Sequence, residues 1–527
     1  MLANMRYSSR MVKSKQIKFG GLAHYAGARD GELWDMRNLT SDHYPLLATR
    51  DSRLHLRKLD NPGGIFCWEK LCWVDGTGFY YDGRKVGTVT AGNKTFASLG
   101  AYIVILPDKC WFHVDTGEFG QVESTWTGDR LTFANGASGK GNVIHAEGVR
   151  WADWFRSGDT VSISGCSGIP GNNKSLTIQD IDGDNLIFRD GSFAFVGSGN
   201  SYGETGSLQI KRRMPDLDYL CQHENRLWGC AGDTIYASRQ GDIFNWYTYD
   251  GISADSYAVD TGSAGRFTGM IAYAGYPIFL KENRIFKGYG SQPSDFQILG
   301  SATLGLLEGC GSSLAVAGET LFYLSSNGIM AYTGGVPQPV CDAFGGEIFS
   351  EAVAGSDGLK YYVSMKGQDG WGLYVFDTQK GLWHREDDLQ ITHFAQYDNA
   401  LYMLDSEGNI WICGGIQQPE GATSEGAVRW SATFADFTDE EPNRKGFCRM
   451  QLRMELEEGA SCSVWVQFDS DGQWRCIQQL ACTGTKQSYT LPVLPQRADH
   501  YRIRLEGVGR CKIHSLTREF YVGSEIK

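Results

Sequence analysis

The chain has 527 residues, 42% of them hydrophobic and 13% aromatic, with 67 Gly against only 13 Pro and a formal charge of −12. That length exceeds what one hydrophobic core organises and points to about three structural units, while the Gly and aromatic content favours short strands and turns over helices. Residues 1–60 hold 11 Lys/Arg and 6 Asp/Glu, residues 426–527 hold 14 and 13, and residues 61–425 hold 24 against 42; an acidic middle of this kind excludes tight binding of a phosphate backbone and suits a surface past which DNA slides without sticking.

The opening residues MLANMRYSSRMVKSKQIKFGG lack the apolar core of a secretory signal, and the longest aliphatic run, residues 101–106, is strand-sized. A soluble product made in the cytoplasm, with no membrane span, is expected. The next segment, GELWDMRNLTSDHYPLLATR at 31–50, carries Leu33, Trp34, Met36, Leu39, Tyr44, Leu46 and Leu47. Disordered leaders lack such side chains, so this one should be ordered against its own chain or another subunit.

From residue 61 one kernel recurs: a short apolar strand, a polar turn, then an aromatic-rich strand. It starts at Leu71, Tyr102, Arg226, Pro277, Leu321, Lys360 and Leu401. Turns such as DGTG, SSNG and DSEG are hairpin chemistry, because Asp, Asn and Gly tolerate positive φ. The last kernels recur at about 40 residues, the period of a four-stranded propeller blade. A β-propeller of about seven blades over 61–120 and 213–415 follows. The wide gap between Tyr102 and Arg226 leaves room for an insert at 121–212, whose strands RLTFA, DTVSISG, KSLTIQDIDGDNLIFRDG and GSLQIKRR suggest a small β-barrel, with one helical turn at WADWF.

After a polar linker, residues 426–527 alternate with period two. Met450, Leu452, Met454 and Leu456 share one face; Val464, Val466 and Phe468, then Tyr501, Ile503 and Leu505, repeat the pattern. This predicts a C-terminal β-sandwich. A propeller closes its ring by lending a terminal strand to the last blade, so within an N-terminal arm of residues 1–60 we expect Leu46 and Leu47 to pack into the propeller as its closure. Leu33, Trp34 and Met36 should dock on its outside or on a neighbouring subunit.

No catalytic motif is present: no GxSxG, HExxH, Walker loop or strand-borne GxGxxG. GSGNSYGETG at 197–206 lacks the helix that would cradle a phosphate. The 14 Cys show no CxxC and read as free thiols of a reducing compartment; the ten dispersed His give a zinc site little support. Asp180–Asn185 and Asp469–Gly472 resemble the start of a calcium loop but lack its twelfth-position glutamate and are better read as hairpin turns. The pairs Asp387/Asp388 and Glu440/Glu441 are adjacent in sequence rather than set across a cleft, so solvated loop charge is the expectation and a glycosidase is not. Lys211, Arg212 and Arg213 read as a charged strand end, and Trp246, Tyr247 and Tyr249 as packing or, alternatively, a sugar-stacking platform. No enzyme, cofactor or metal is expected.

Three strings add a resemblance. KFGGLAHYA, the stretch DGELWDMRNLTSDHYPLLATR, and RLWGCAGDTIYASRQGDIFNW with Asn225, Arg226, Leu227, Trp228, Ile235, Tyr236, Ser238, Gly241, Asp242, Asn245 and Trp246 resemble the tail nozzle, tail-tubular or DNA-stabilisation proteins of short-tailed bacteriophages. The resemblance covers most of the chain, insert and sandwich included. It implies a virion tail protein that assembles as a homohexameric ring beneath the portal and adaptor, contacts other tail proteins, and lets double-stranded DNA pass without specific binding. The rival expectation is a propeller adhesin that binds host-surface glycan through aromatics of the insert or sandwich.

Overall fold

The computed structural model describes residues 10–25, 27–136, 141–195, 199–397, 399–414, 419–439, 444–481 and 485–522. Glu440 and Glu441 lie outside the described residues, as do parts of the linker and of the 197–206 stretch. Among the described residues helix is limited to four three-residue 3-10 turns, one of them Trp151–Asp153 in WADWF, and no helix is long and apolar enough to cross a membrane. The chain divides into two compact units, Asn61–Glu308 and Met1–Asp60 with Gly309–Lys527.

The Asn61–Glu308 unit holds four four-stranded antiparallel meanders. Blade 1 is Pro62–Trp68, Lys70–Asp75, Gly78–Tyr81 and Arg84–Thr88; blade 2 is Thr95–Leu99, Tyr102–Leu106, Cys110–His113 and Phe119–Gln121. Blade 3 is Tyr219–His223, Arg226–Ala231, Thr234–Ala237 and Tyr257–Asp260, and blade 4 is Gly269–Tyr273, Tyr276–Lys281, Arg284–Tyr289 and Gln297–Ala302. Each recurrent kernel is the central hairpin of its sheet. Its first strand is apolar without alternation because both faces are covered, as in Tyr102–Leu106, where Ile103 to Leu106 are all buried. The outermost strands face water and lose that signature: Gln297–Ala302 has one half-buried residue and five exposed ones.

The insert is one seven-stranded sheet, ordered Ser175–Thr177, Thr160–Ser164, Ser201–Arg212, Ser124–Asn135, Asn142–His145, Asn185–Phe188, Asp180–Asp182. The first and last strands of that order are joined by only Ile178 and Gln179, so the sheet must curl until its edges meet, which is a barrel. Trp126, Phe133, Trp151, Phe155, Leu186 and Phe188 fill it.

The other unit holds three meanders and a sandwich. Blade 5 is Ala315–Ala317, Thr320–Ser325, Gly328–Tyr332 and Gln338–Pro339; blade 6 is Glu351–Ser356, Lys360–Gly367, Gly370–Asp377 and Leu382–Asp387. Blade 7 is Ile391–Tyr397, Ala400–Asp405 and Asn409–Gly414, completed by Leu54–Lys58 from the N-terminal arm. Seven meanders make the fold a β-propeller with an inserted barrel and a β-sandwich.

One sandwich sheet runs Leu39–Thr40, Leu47–Thr49, Cys511–Val522, Lys445–Leu456, Gln487–Ala498, with Arg10–Gln16 also on Cys511–Val522. The facing sheet runs Leu33–Arg37, Arg429–Phe434, Tyr501–Val508, Ser461–Phe468, Arg475–Ala481. Four strands of the sandwich therefore come from residues 10–49.

This corrects one expectation and refines another. Leu46 and Leu47 do not close the propeller. Leu47 pairs with Ile513 of the sandwich and Leu46 is half-buried just before it; the closing strand is Leu54–Lys58. Leu47, Ala48 and Thr49 are all buried, whereas no residue of Leu54–Lys58 is fully buried, and Thr423–Ser424 pairs along its outer side. Leu33, Trp34 and Met36 lie against the outer strand of blade 6, Leu382–Asp387, as expected, where Arg385 pairs with Asp35 at 3.7 Å, but they do so as part of the sandwich. Their strand pairs with Arg429–Phe434, and a bulge between Leu33 and Asp35 turns both Leu33 and Met36, each 0% exposed, into the sandwich core.

Candidate functional site

The residues singled out in the arm build a clasp between blade 6 and the sandwich. Gly21 lies so close to blade 6 that a Cβ there would collide with the Trp383 carbonyl, and that same carbonyl accepts the Leu22 N–H at 2.7 Å. The Gly-Gly of the leader is thus a close-approach requirement. Asn38, at φ 55°, donates its backbone N–H to Glu386 O (2.7 Å) and its side-chain amide to Arg429 O (2.8 Å), and accepts from Arg50 Nε at 2.7 Å. Arg50 reaches Glu425 at 2.5 Å. Three residues on, Arg53, 2% exposed, pairs with Glu386 and, at 2.6 Å, with Asp387. Burial opposes its charge, but the two carboxylates outweigh burial and hold the guanidinium charged far above its ordinary range. Asp387 is therefore a structural ion-pair partner, and Asp388 pairs with Arg37 at 2.8 Å.

Beside this cluster, burial and the nearby Lys360 charge push the His384 imidazole down to about 4. The unfolded chain takes up that proton near pH 6.5 and the folded chain only near 4, so stability is fully present above pH 6.5 and drains as pH falls between those values. The loss should reach about 3 kcal/mol by pH 4. Urea unfolding at pH 7 and pH 4.5 should show the drop, and His384→Gln should flatten it.

The outer side of the clasp carries Trp34, and here the structure brings together side chains that the sequence leaves far apart. Trp34, Asp35 and His24 from the arm, Tyr374 and Arg385 from blade 6, and Trp474 and Arg504 from the sandwich line a groove segment of about 460 Å³. A second segment, about 540 Å³, is lined by Arg37, Trp371, Asp388, Asp405 and Glu407, and shares Asp369 and Arg385 with the first. Two tryptophans are braced: the Arg504 guanidinium lies 4.0 Å from the Trp474 ring and Arg502 lies 4.8 Å from Trp34. All four groove arginines are already paired, Arg37 and Arg385 with Asp388, Arg502 with Asp436 and Arg504 with Glu506. Burial, despite Arg385 close by, pushes the Tyr374 phenol up to about 12.

Elsewhere the singled-out residues are consumed by the fold. Arg226, 1% exposed, donates to the carbonyls of Ser238 (2.9 Å), Ser253 (2.7 Å) and Asp255 (2.5 Å). Asn245 accepts the Thr160 N–H of the insert at 2.7 Å, and Thr248 bonds the Thr160 hydroxyl at 2.6 Å. The string around them is the rivet between blade 3 and the barrel. Trp246 is 0% exposed, which bears out its reading as packing over the alternative of a sugar platform; Arg213 sits 5.1 Å from the Tyr247 ring, and Tyr249 stands in solvent. Arg212 ends the strand Ser201–Arg212, as a charged strand end should, and is buried there against Asp159. Asp182–Asn185 is a hairpin turn. Asp469, Asp499 and His500 place ligand-type atoms within 4.8 Å of one another, but Asp469 already accepts the Asp499 N–H at 2.9 Å.

No protein-family model matches the chain, and no characterised protein matches it in sequence. Among solved structures, BamB from Moraxella catarrhalis is similar at 11% identity over 69% of this chain and 97% of that one, with a TM-score of 0.34. The exo-beta-1,3-galactanase of Phanerochaete chrysosporium, solved with galactose, matches at 10% identity over 57% and 94%, TM-score 0.21. A family 29 carbohydrate binding module matches at 16% over 24% and 73%, TM-score 0.13. At these scores none of the three bears on function.

Proposed function

We propose that the chain is a structural virion protein, a subunit of the ring-shaped tail nozzle through which a short-tailed phage retains and ejects its DNA. One observation carries the reading. Among the residues that carry the resemblance, Gly21, Asn38 and Arg50 are spent on joining the arm to blade 6 and the sandwich, Arg226 on holding blade 3 together, and Asn245 on joining blade 3 to the barrel. Such a signature belongs to a part whose task is to hold shape. The acidic middle supports it, since like charge keeps a passing phosphate backbone from adhering. In this reading the partners are further copies of the chain, six to a ring, together with the portal-adaptor and other tail proteins, and the protein resides in the virion tail.

Light scattering on the purified full chain, with negative-stain imaging, tests the proposal. A species of six chain masses with six-fold end views is expected. A chain that stays monomeric at high concentration, and stays so when mixed with portal-adaptor rings, would overturn it.

A further inference from the structure

We infer that the groove along the clasp is a binding site for an extended neutral oligosaccharide. Three observations lead there. First, Trp34, Trp371 and Trp474 are each only half-buried along one continuous groove. Flat aromatic faces with a polar tip recognise ligands that are apolar on one face and hydroxylated at the rim, and two of the three are held in place before any ligand arrives. Second, the charge on offer is acceptor charge. Each groove arginine has a carboxylate partner, while Glu347, Asp369 and Glu407 have no Lys or Arg partner among the described residues. An anionic ligand finds no uncommitted cation, whereas sugar hydroxyls find carboxylates to donate to. Third, the two segments, 460 and 540 Å³, each fall within the ~300–1,000 Å³ span of small-ligand sites and join at Asp369 and Arg385. The occupant is therefore longer than one or two rings.

Asp369 is exposed at the turn between Lys360–Gly367 and Gly370–Asp377, so this hairpin presents Asp369 and Trp371 together at the middle of the groove. The inference stands on the Gly309–Lys527 unit and its arm alone and does not require ring assembly.

Titration of the full chain with cellohexaose, mannohexaose and chitin hexasaccharide, followed by tryptophan fluorescence and calorimetry, tests it; hexagalacturonate and spermidine are the charged comparators. At least one hexasaccharide should bind with a millimolar or tighter Kd, and its trisaccharide about tenfold more weakly. Trp371→Ala and the surface variant Asp369→Asn should each weaken binding about tenfold at unchanged melting temperature. The inference fails if none of the three hexasaccharides binds at about 5 mM, if hexagalacturonate or spermidine binds in their place, or if Asp369→Asn binds as the parent does. Molar mass recorded on the same samples keeps this result separate from that on ring formation.

Discussion

Replacing Arg53 by methionine is expected to destabilise the unit that contains it by about 3 kcal/mol. The guanidinium is 2% exposed, and the carboxylates of Glu386 and Asp387 that it neutralises are largely buried as well. Removing the cation leaves two anions in a poorly solvated place, and that desolvation cost dominates over the lost attraction. Arg50, 3.8 Å from both carboxylates, takes up part of the charge, which keeps the effect at the low end of the ~3–5 kcal/mol seen for broken buried pairs. A double variant, Arg53→Met with Glu386→Gln, should recover about 1–2 kcal/mol, since it removes one stranded charge. Urea unfolding of the three proteins measures this; a single variant within 0.5 kcal/mol of the parent, a figure roughly that of a neutral surface change, would show the network to be idle. Arg53 immediately precedes the closing strand Leu54–Lys58, so the same variant should speed amide exchange at the blade 7 seam before it affects the sandwich.

How much of this was legible beforehand follows from where burial is symmetric. The central hairpins of all seven blades showed because both faces of their strands are covered, giving uninterrupted apolar runs punctuated by Asp, Asn and Gly turns such as the one at Gly408, φ 90°. Outer strands such as Gln338–Pro339 and Arg84–Thr88 did not show, being short and polar. The sandwich strands showed through strict alternation, and Met450, Leu452 and Met454 are each 0% exposed. The arm showed as apolar and ordered, but its partners did not, because Leu33 meets Phe434 across a span of chain that no local period encodes. The bulge after Leu33 further hides its pattern by placing Leu33 and Met36 on one face. The groove was illegible for the same reason: Trp34, Trp371 and Trp474 come from three separate elements, and each alone looks like ordinary packing.

Deleting residues 31–50 should abolish folding of the unit that the arm completes. Leu33, Met36, Leu39 and Leu47 are 0–2% exposed, and burying a side chain of this size fully is worth about 1.5–3 kcal/mol. Four of them give roughly 6–12 kcal/mol, which is comparable with the whole stability of a typical domain. The deletion also strips the Arg429–Phe434 strand of its neighbour, exposing an edge that invites pairing with other chains, and removes Asn38 and Arg50, the side chains that tie blade 6 to the sandwich. The product should be insoluble, or soluble without near-ultraviolet dichroism. Removing residues 1–17 is the informative contrast. Among the described residues that cut takes the Arg10–Gln16 edge strand, whose residues are exposed or half-buried, and it should leave a soluble protein that unfolds at slightly lower urea. If the 31–50 deletion were as soluble and as cooperative in unfolding as the 1–17 deletion, the apolar side chains of the arm would not be core, and the clasp would have to be an accessory laid over a sandwich that is complete without it.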